Sequence, residues 1–129
     1  MGPLARVILC LVLVLVAGCG SGAGPSVSPR YDVTITYWPE GRGSEARSAT
    51  LTCDPDGGSH PNPAKACDAL VEHEDALNPV AGDVVCTQIY GGPQLATVSG
   101  GGVHALLSRT NGCEIARWEA LAPVLELAR

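Results

Sequence analysis

The sequence predicts a small α+β domain, in which an antiparallel sheet of about five strands packs with two helices and presents one exposed loop. Three observations lead to this fold class. Apolar and polar residues alternate through 31–37 and 47–53, which is the period of half-buried strands. Two short apolar runs flank Gly100-Gly101-Gly102, as in a hairpin. The residues after Cys113 place their apolar side chains on one helical stripe.

Length and composition limit the domain to a modest core. The chain has 129 residues, with 16 Gly, 10 Pro and no Phe, so a single short domain is expected and covalent staples would stabilise it. Its net charge is −5, and no basic patch interleaved with aromatic residues occurs. Nucleic acid is therefore excluded as a partner.

The first residues form a targeting segment. Arg6 is followed by the apolar run 7–17, which suits the core of a signal peptide and is too short to span a bilayer comfortably. The run leads into Gly18-Cys19, which looks like the lipobox of a bacterial lipoprotein, where a lipid joins the cysteine sulfur. Ordinary signal cleavage, leaving Cys19 as a free thiol, is the alternative. We therefore expect a signal peptide over 1–18, a flexible tether over 19–30 and the folded domain over 31–129, outside the cell or lipid-anchored on the outer face of its membrane.

The strands follow in order along the chain. Residues 31–37 and 47–53 are joined by a segment rich in Gly and broken by Pro39, which favours an antiparallel pair. Residues 94–99 and 103–108 form the hairpin, whose glycines supply the positive φ that a tight turn requires.

Two helices are expected. The first begins at Pro63, a residue suited to the first helical position, and continues to about His73. The second runs from Glu114 to about Leu121, and Pro123 then interrupts the pattern and leaves a weaker tail.

The segment between Val84 and Pro93 is the most informative stretch of the chain. Two β-branched residues lead into Cys86, four residues without a sharp-turn former follow, and Gly91-Gly92-Pro93 ends the segment. A bond from Cys86 to Cys113 would hold residues 87–90 extended at the surface. The pattern predicts an exposed, presented loop.

The remaining candidate chemistry is weak. After Cys10 and Cys19 are set aside, four cysteines allow three disulfide pairings, and the sequence alone does not choose among them. There is no C-x-x-C, and the histidines lack zinc-ligand spacing. Residues 54–58 lack the third acidic ligand and the closing Glu of a calcium loop. Ser59-His60 lies in a Pro-rich turn that is a poor scaffold for a catalytic pair. We expect no metal, no cofactor and no enzyme activity.

The sequence resembles the Streptomyces subtilisin inhibitor family of small secreted protease inhibitors. The resemblance covers about residues 31 to 118 and is carried by Leu51-Thr52-Cys53-Asp54-Pro55, Gly58-Ser59-His60-Pro61-Asn62-Pro63, Ala66-Cys67, Val85-Cys86, Ile89-Tyr90 and Asn111-Gly112-Cys113-Glu114.

The resemblance implies a function for the loop. It implies disulfides Cys53–Cys67 and Cys86–Cys113 and an exposed reactive loop whose scissile bond joins Gln88 to Ile89. Val85, Cys86, Thr87 and Tyr90 would contact the protease, and Asn111 would support the loop through its amide. The implied partner is an extracellular serine protease of the subtilisin type, and a homodimer through the sheet face is common in the family.

Three departures from the family pattern bear on specificity and assembly. Thr87 stands where a proline is common, Gln88 is neutral and polar, and the hairpin around Gly101 is short and followed by an added C-terminal tail. A neutral Gln88 argues against trypsin-like enzymes, which take a cation at that position. The alternatives are inhibition of a metalloprotease, an activity of some relatives, and a non-inhibitory surface lipoprotein that uses the fold as a binding or structural module.

Overall fold

The computed structural model describes residues 30–127. Their four strands form one antiparallel sheet in the order β2-β1-β3-β4, and helices cover one of its faces. The strands are β1 Asp32–Trp38, β2 Arg47–Thr52, β3 Leu95–Gly100 and β4 Val103–Ser108. The helices are α1 Pro63–Glu72, α2 Gly112–Ala120 and α3 Ala122–Leu125, and a 3₁₀ helix spans Glu74–Leu77. Within residues 30–127, no helix has the length and apolar character needed to cross a membrane.

The predicted α+β class is confirmed, with four strands in place of about five. Both strand pairs and both main helices lie where the sequence pattern indicates, and the weaker tail after α2 is the separate turn α3. Residues 83–90 do not join the sheet. The predicted leader and all of the predicted tether except Arg30, and with them Cys19, lie outside the described residues.

The core is built from the inward face of the sheet. Alternate residues of each strand are buried on that face, and Ile35, Leu51, Val98 and Leu107 are fully covered. Burying one such side chain contributes about 1.5–3 kcal/mol relative to leaving it exposed. The helices complete the core with Ala66, Leu70, Trp118, Leu121 and Val124.

The β3–β4 hairpin forms where it was predicted, but its turn contains two glycines in place of three. Gly100 pairs with Val103, so only Gly101 and Gly102 lie in the turn. Their φ angles are 57° and 86°, a combination that L side chains avoid and that a two-residue turn with this twist requires. The hairpin brings β3 beside β1 at the centre of the sheet.

The connection from β2 to α1 is fixed by a disulfide and a histidine. Cys53 and Cys67 are bonded, which joins the end of β2 to α1. His60 is buried; the backbone amide of Asn62 donates to its Nδ1, so Nε2 carries the hydrogen and donates to the carbonyl of Val124 at 3.0 Å. The imidazole of His60 therefore links the connection between β2 and α1 to α3.

Tyr31 immediately precedes β1, and its side chain lies in the core. It is 6% exposed, and its hydroxyl donates to the carbonyl of Leu70 at 3.5 Å. Burial raises the pKa of this phenol above its ordinary value of 10.0, and the carboxylate of Glu74 raises it further. The folded protein therefore holds this proton more tightly than the unfolded chain does.

We predict that alkaline pH destabilises the fold through Tyr31. Unfolded Tyr31 releases its proton near 10.0 while the folded protein still retains it, so the free energy of unfolding falls as pH rises above 10.0 toward the raised pKa. Tyr31→Phe should flatten this decline in urea unfolding at pH 8 to about 11. Tyr90→Phe, which removes an exposed hydroxyl, is the control. Equal pH dependence in Tyr31→Phe and the unaltered protein would contradict the assignment.

Candidate functional site

The segment 84–92 has no regular secondary structure and lies on the surface. Its large apolar side chains are exposed to an unusual degree, with Val85 96%, Ile89 61% and Tyr90 66% accessible. Clustered exposed apolar side chains mark surfaces that contact other molecules. The segment carries no charged side chain, so it offers a neutral surface.

The disulfide Cys86–Cys113 fixes the start of this segment to α2. Cys113 is the second residue of that helix, so the loop is joined directly to an element that packs on β4 and on the 3₁₀ helix. Both disulfides have the pairing implied by the family resemblance. The loop is therefore covalently bound to the body of the domain at Cys86.

Backbone hydrogen bonds hold the loop at two further points. On one side the amide of Gly112, the first residue of α2, donates to the carbonyl of Thr87 at 2.9 Å. This amide is one of the helix-terminal donors that have no partner within the helix. On the other side the amide of Gly91 donates to the carbonyl of Arg109 at 2.7 Å, and Arg109 Nε donates to the carbonyl of Gly91 at 3.0 Å.

Only three residues lie between these two supports. Gln88, Ile89 and Tyr90 are all exposed, and within residues 30–127 their backbone groups make no hydrogen bond to the rest of the domain. Backbone N–H and C=O groups in this state are free to pair with the edge of another protein's sheet. The predicted scissile bond, Gln88–Ile89, lies inside this interval.

Asn111 stands at the N-cap of α2. Its Oδ1 accepts a hydrogen bond from the amide of Glu114 at 3.0 Å, the usual contribution of an asparagine at this position. Asn111 thus sets where the helix begins, and with it the position of the Gly112 amide. The amide hydrogen bond from Asn111 to the loop, implied by the resemblance, stays a prediction.

The side chain of Gln88 folds back along the loop. Its Nε2 donates to the carbonyl of Cys86 at 3.1 Å, and both groups are exposed to solvent. A hydrogen bond of this kind contributes about 0.5–1.5 kcal/mol at most, because water replaces it readily. The side chain can therefore leave this position at little cost.

Comparison with protein families supplies the assignment. The profile of subtilisin inhibitor-like domains matches residues 30–105, more than half of the chain. The chain belongs to the subtilisin inhibitor-like family. A search among curated proteins finds no match.

The family match includes Cys86 and the loop and ends within β4. Asn111, Cys113 and α2 lie beyond the matched residues, and the structure shows how they meet the loop. Membership places the domain among protease inhibitors. The particular protease and the binding mode are separate questions.

Among the described residues, one group of side chains outside the loop has the composition of a metal site. The ligand atoms of Cys53, Asp56 and Cys67 lie within 4.8 Å of one another. Two of these atoms are the sulfurs of one disulfide, and a metal is bound by thiolate, which neither sulfur offers. The cluster is accounted for by its structural role.

Sequence reasoning missed Arg109 and Gly112 as parts of the site. Gly112 lies within the Asn-Gly-Cys-Glu motif, and Arg109 lies two residues before it. In the sequence alone, nothing distinguishes Arg109 from an ordinary surface arginine. The signal at Gly112 is its lack of a side chain: a Cβ there would overlap Thr87 Oγ1. Thr87 therefore packs directly on the backbone of the first turn of α2.

We predict that Gly112→Ala displaces the loop. Alanine favours helix over glycine, but its Cβ overlaps Thr87 Oγ1, and such overpacking costs about 1–3 kcal/mol. Urea unfolding and the amide chemical shifts of residues 87–91 measure the two effects. Thr87→Ala removes the obstructing oxygen, so the cost of Gly112→Ala should largely vanish in the double variant. The same cost in both backgrounds would contradict the packing argument.

Proposed function

We propose that this domain inhibits subtilisin-like serine endopeptidases by placing the loop around Gln88–Ile89 in the protease active site. The observation that carries the proposal is the support of the loop on both sides of that bond. Thr87 is held by Gly112 and Gly91 by Arg109, with three exposed residues between them. A segment ordered in advance loses little conformational freedom on binding.

Binding would follow the pattern of a substrate. The extended backbone adds to the strand edges of the protease through main-chain hydrogen bonds. Gln88 enters the primary specificity pocket, and Val85, which is 96% exposed, fills the apolar pocket four residues upstream of the cut. Cys86 and Thr87 line the approach to the bond, and Ile89 and Tyr90 cover the leaving-group side.

Slow turnover follows from how the loop is attached. If the protease cuts Gln88–Ile89, the first fragment remains joined to α2 through Cys86–Cys113. The second fragment remains part of the domain through β3. The new amine of Ile89 thus stays near the acyl-enzyme, and an intramolecular reaction of this kind has a large effective concentration. Religation competes with hydrolysis, and the complex persists.

Location and assembly are further parts of the proposal. The motif ending at Cys19 supports export and a lipid anchor. Incorporation of labelled palmitate that is lost in Cys19→Ser would test the anchor.

A homodimer through the sheet face opposite the core is also part of the proposal, since Thr34, Thr50 and Leu106 on that face are exposed. A monomeric mass in solution would exclude the homodimer.

The proposal is tested by titrating subtilisin with the disulfide-bonded protein, residues 20–129, which lacks only the predicted signal peptide 1–18 and Cys19. We expect stoichiometric loss of protease activity, with slow cutting at Gln88–Ile89 and nowhere else. Degradation at several bonds, or no inhibition of subtilisin by the folded protein, would exclude inhibition of this class. A metalloprotease as target or a non-inhibitory binding role would then remain.

Gln88→Lys tests the assignment of the specificity residue. The side chain is exposed, so the fold should be unchanged, and the cation should shift inhibition toward trypsin-like enzymes. Thr110→Lys, which adds a cation at an exposed position outside the loop, is the matched control. A folded Gln88→Lys protein that gains nothing against trypsin would show that Gln88 does not enter the pocket.

A further inference from the structure

Arg109 is an arginine whose side chain is largely covered at the edge of the loop. It follows directly after β4, and only 25% of its side chain is exposed. A long charged side chain with no binding role usually remains solvated at the surface. The contacts that Arg109 makes with the loop and with α2 explain why its side chain is covered.

Arg109 holds both backbone polar groups of one loop residue. Its carbonyl accepts from the amide of Gly91 at 2.7 Å, and its Nε donates to the carbonyl of Gly91 at 3.0 Å. A Cβ on Gly91 would lie 2.9 Å from Ile115 Cδ1 and 3.1 Å from Arg109 Cβ, so the backbone of Gly91 lies directly on these two side chains. Gly91 is thus fixed without belonging to a strand.

The guanidinium is itself held from α2. Its NH1 donates to Glu119 Oε1 at 3.2 Å, and its carbon lies 5.8 Å from the centre of the Trp118 ring, within cation–π range. Trp118 is buried, so the ring is a rigid surface. The planar guanidinium can meet Gly91 and Glu119 at once because its donors point in different directions, which a lysine ammonium on a flexible stem does not reproduce.

We propose that Arg109 is a positioning residue that holds the leaving-group side of the loop and keeps the cut inhibitor ready for religation. This inference rests on the proposed function. The disulfide Cys86–Cys113 holds the acyl side of the bond, and Arg109 holds the other side at Gly91, two residues after Ile89. Together they keep both new ends on one rigid body.

Religation, the step that Arg109 serves, is the reverse of acylation of the protease. In the acyl-enzyme the carbonyl carbon of Gln88 is bonded to the oxygen of the protease serine. The free amine of Ile89 attacks that carbon, the C–N bond forms, and the serine oxygen leaves as the amine's proton returns to it through the protease. The rate depends on how often the amine lies within reach of the carbonyl.

The test uses Arg109→Met, which keeps an apolar stem over Trp118, removes every side-chain donor and leaves the backbone carbonyl that accepts from the Gly91 amide. Arg47→Met, at an exposed position on β2, is the matched control. Without protease, amide hydrogen exchange at Gly91 should accelerate about tenfold in Arg109→Met, while the Gly112 amide on the other side of the loop should change little. With protease, the ratio of cut to intact inhibitor at equilibrium should rise about tenfold, because the amine is held less well.

Arg109→Lys keeps the charge and provides a second, milder variant if Arg109→Met does not fold. The backbone carbonyl of residue 109 still accepts from the Gly91 amide, but loss of the Nε donor releases the carbonyl of Gly91. This end of the loop should therefore open more often, and the Gly91 amide should still exchange faster than in the unaltered protein. Unchanged exchange at Gly91, or equal acceleration at Gly91 and Gly112, would overturn the assignment. An unchanged ratio of cut to intact inhibitor despite faster exchange would also overturn it.

The two arms separate this inference from the proposed function. An unaltered protein that inhibits no protease would contradict the proposed function, and the exchange measurement would still decide whether Arg109 holds the loop. A protein that inhibits well, with the same Gly91 exchange in Arg109→Met, would support the function and contradict the role of Arg109.

Discussion

The position of α2 is the constraint on which the loop depends, and Arg117 fixes that position. Its side chain is 11% exposed; Nε donates to the carbonyl of Ala76 at 2.9 Å, and NH1 donates to the carbonyl of Leu106 at 3.3 Å and to Glu114 at 2.8 Å. One guanidinium therefore joins α2 to the 3₁₀ helix and to β4. The network is only partly buried, and each hydrogen bond to a charged group of this kind contributes about 1.5–3 kcal/mol. Every support of the loop leads back to this helix or to the turn before it.

Regular structure followed from local patterns in the sequence. Alternation predicted β1 and β2, short apolar runs flanking three glycines predicted the β3–β4 hairpin, and Pro63 predicted the start of α1, where Asn62 provides the cap. Each of these features depends on neighbours a few residues apart. The link from His60 to Val124 joins residues 64 positions apart, and no local pattern indicates it. Residues 83–90 have the β-branched start of a strand, and only the tertiary structure shows that they pair with none.

The site was less predictable than the fold, for the same physical reason. Four cysteines allow three disulfide pairings, and the family resemblance selected the pairing that the structure has. Composition does not distinguish Arg109, because its role depends on Gly91, 18 residues away, and on the faces of α2. Composition does not distinguish Gly112 either, because it must lack a side chain only on account of Thr87, which packs against it from the loop. Contacts between distant backbone groups leave little trace in sequence.

The direction of β1 also decides which way the loop faces. The described chain enters at Arg30, beside the Gly101–Gly102 turn, and β1 runs from there to Trp38, which pairs with Leu95 just after the loop. The seven residues of β1 are separated by six steps of about 3.3 Å, which place its two ends about 20 Å apart. The N-terminal end of the described chain thus lies at the end of the sheet opposite Leu95, where the chain enters β3 from the loop. Under the proposed lipid anchor, the attached end and the protease-binding loop would lie at opposite ends of β1, so attachment would leave the loop accessible to enzymes in solution.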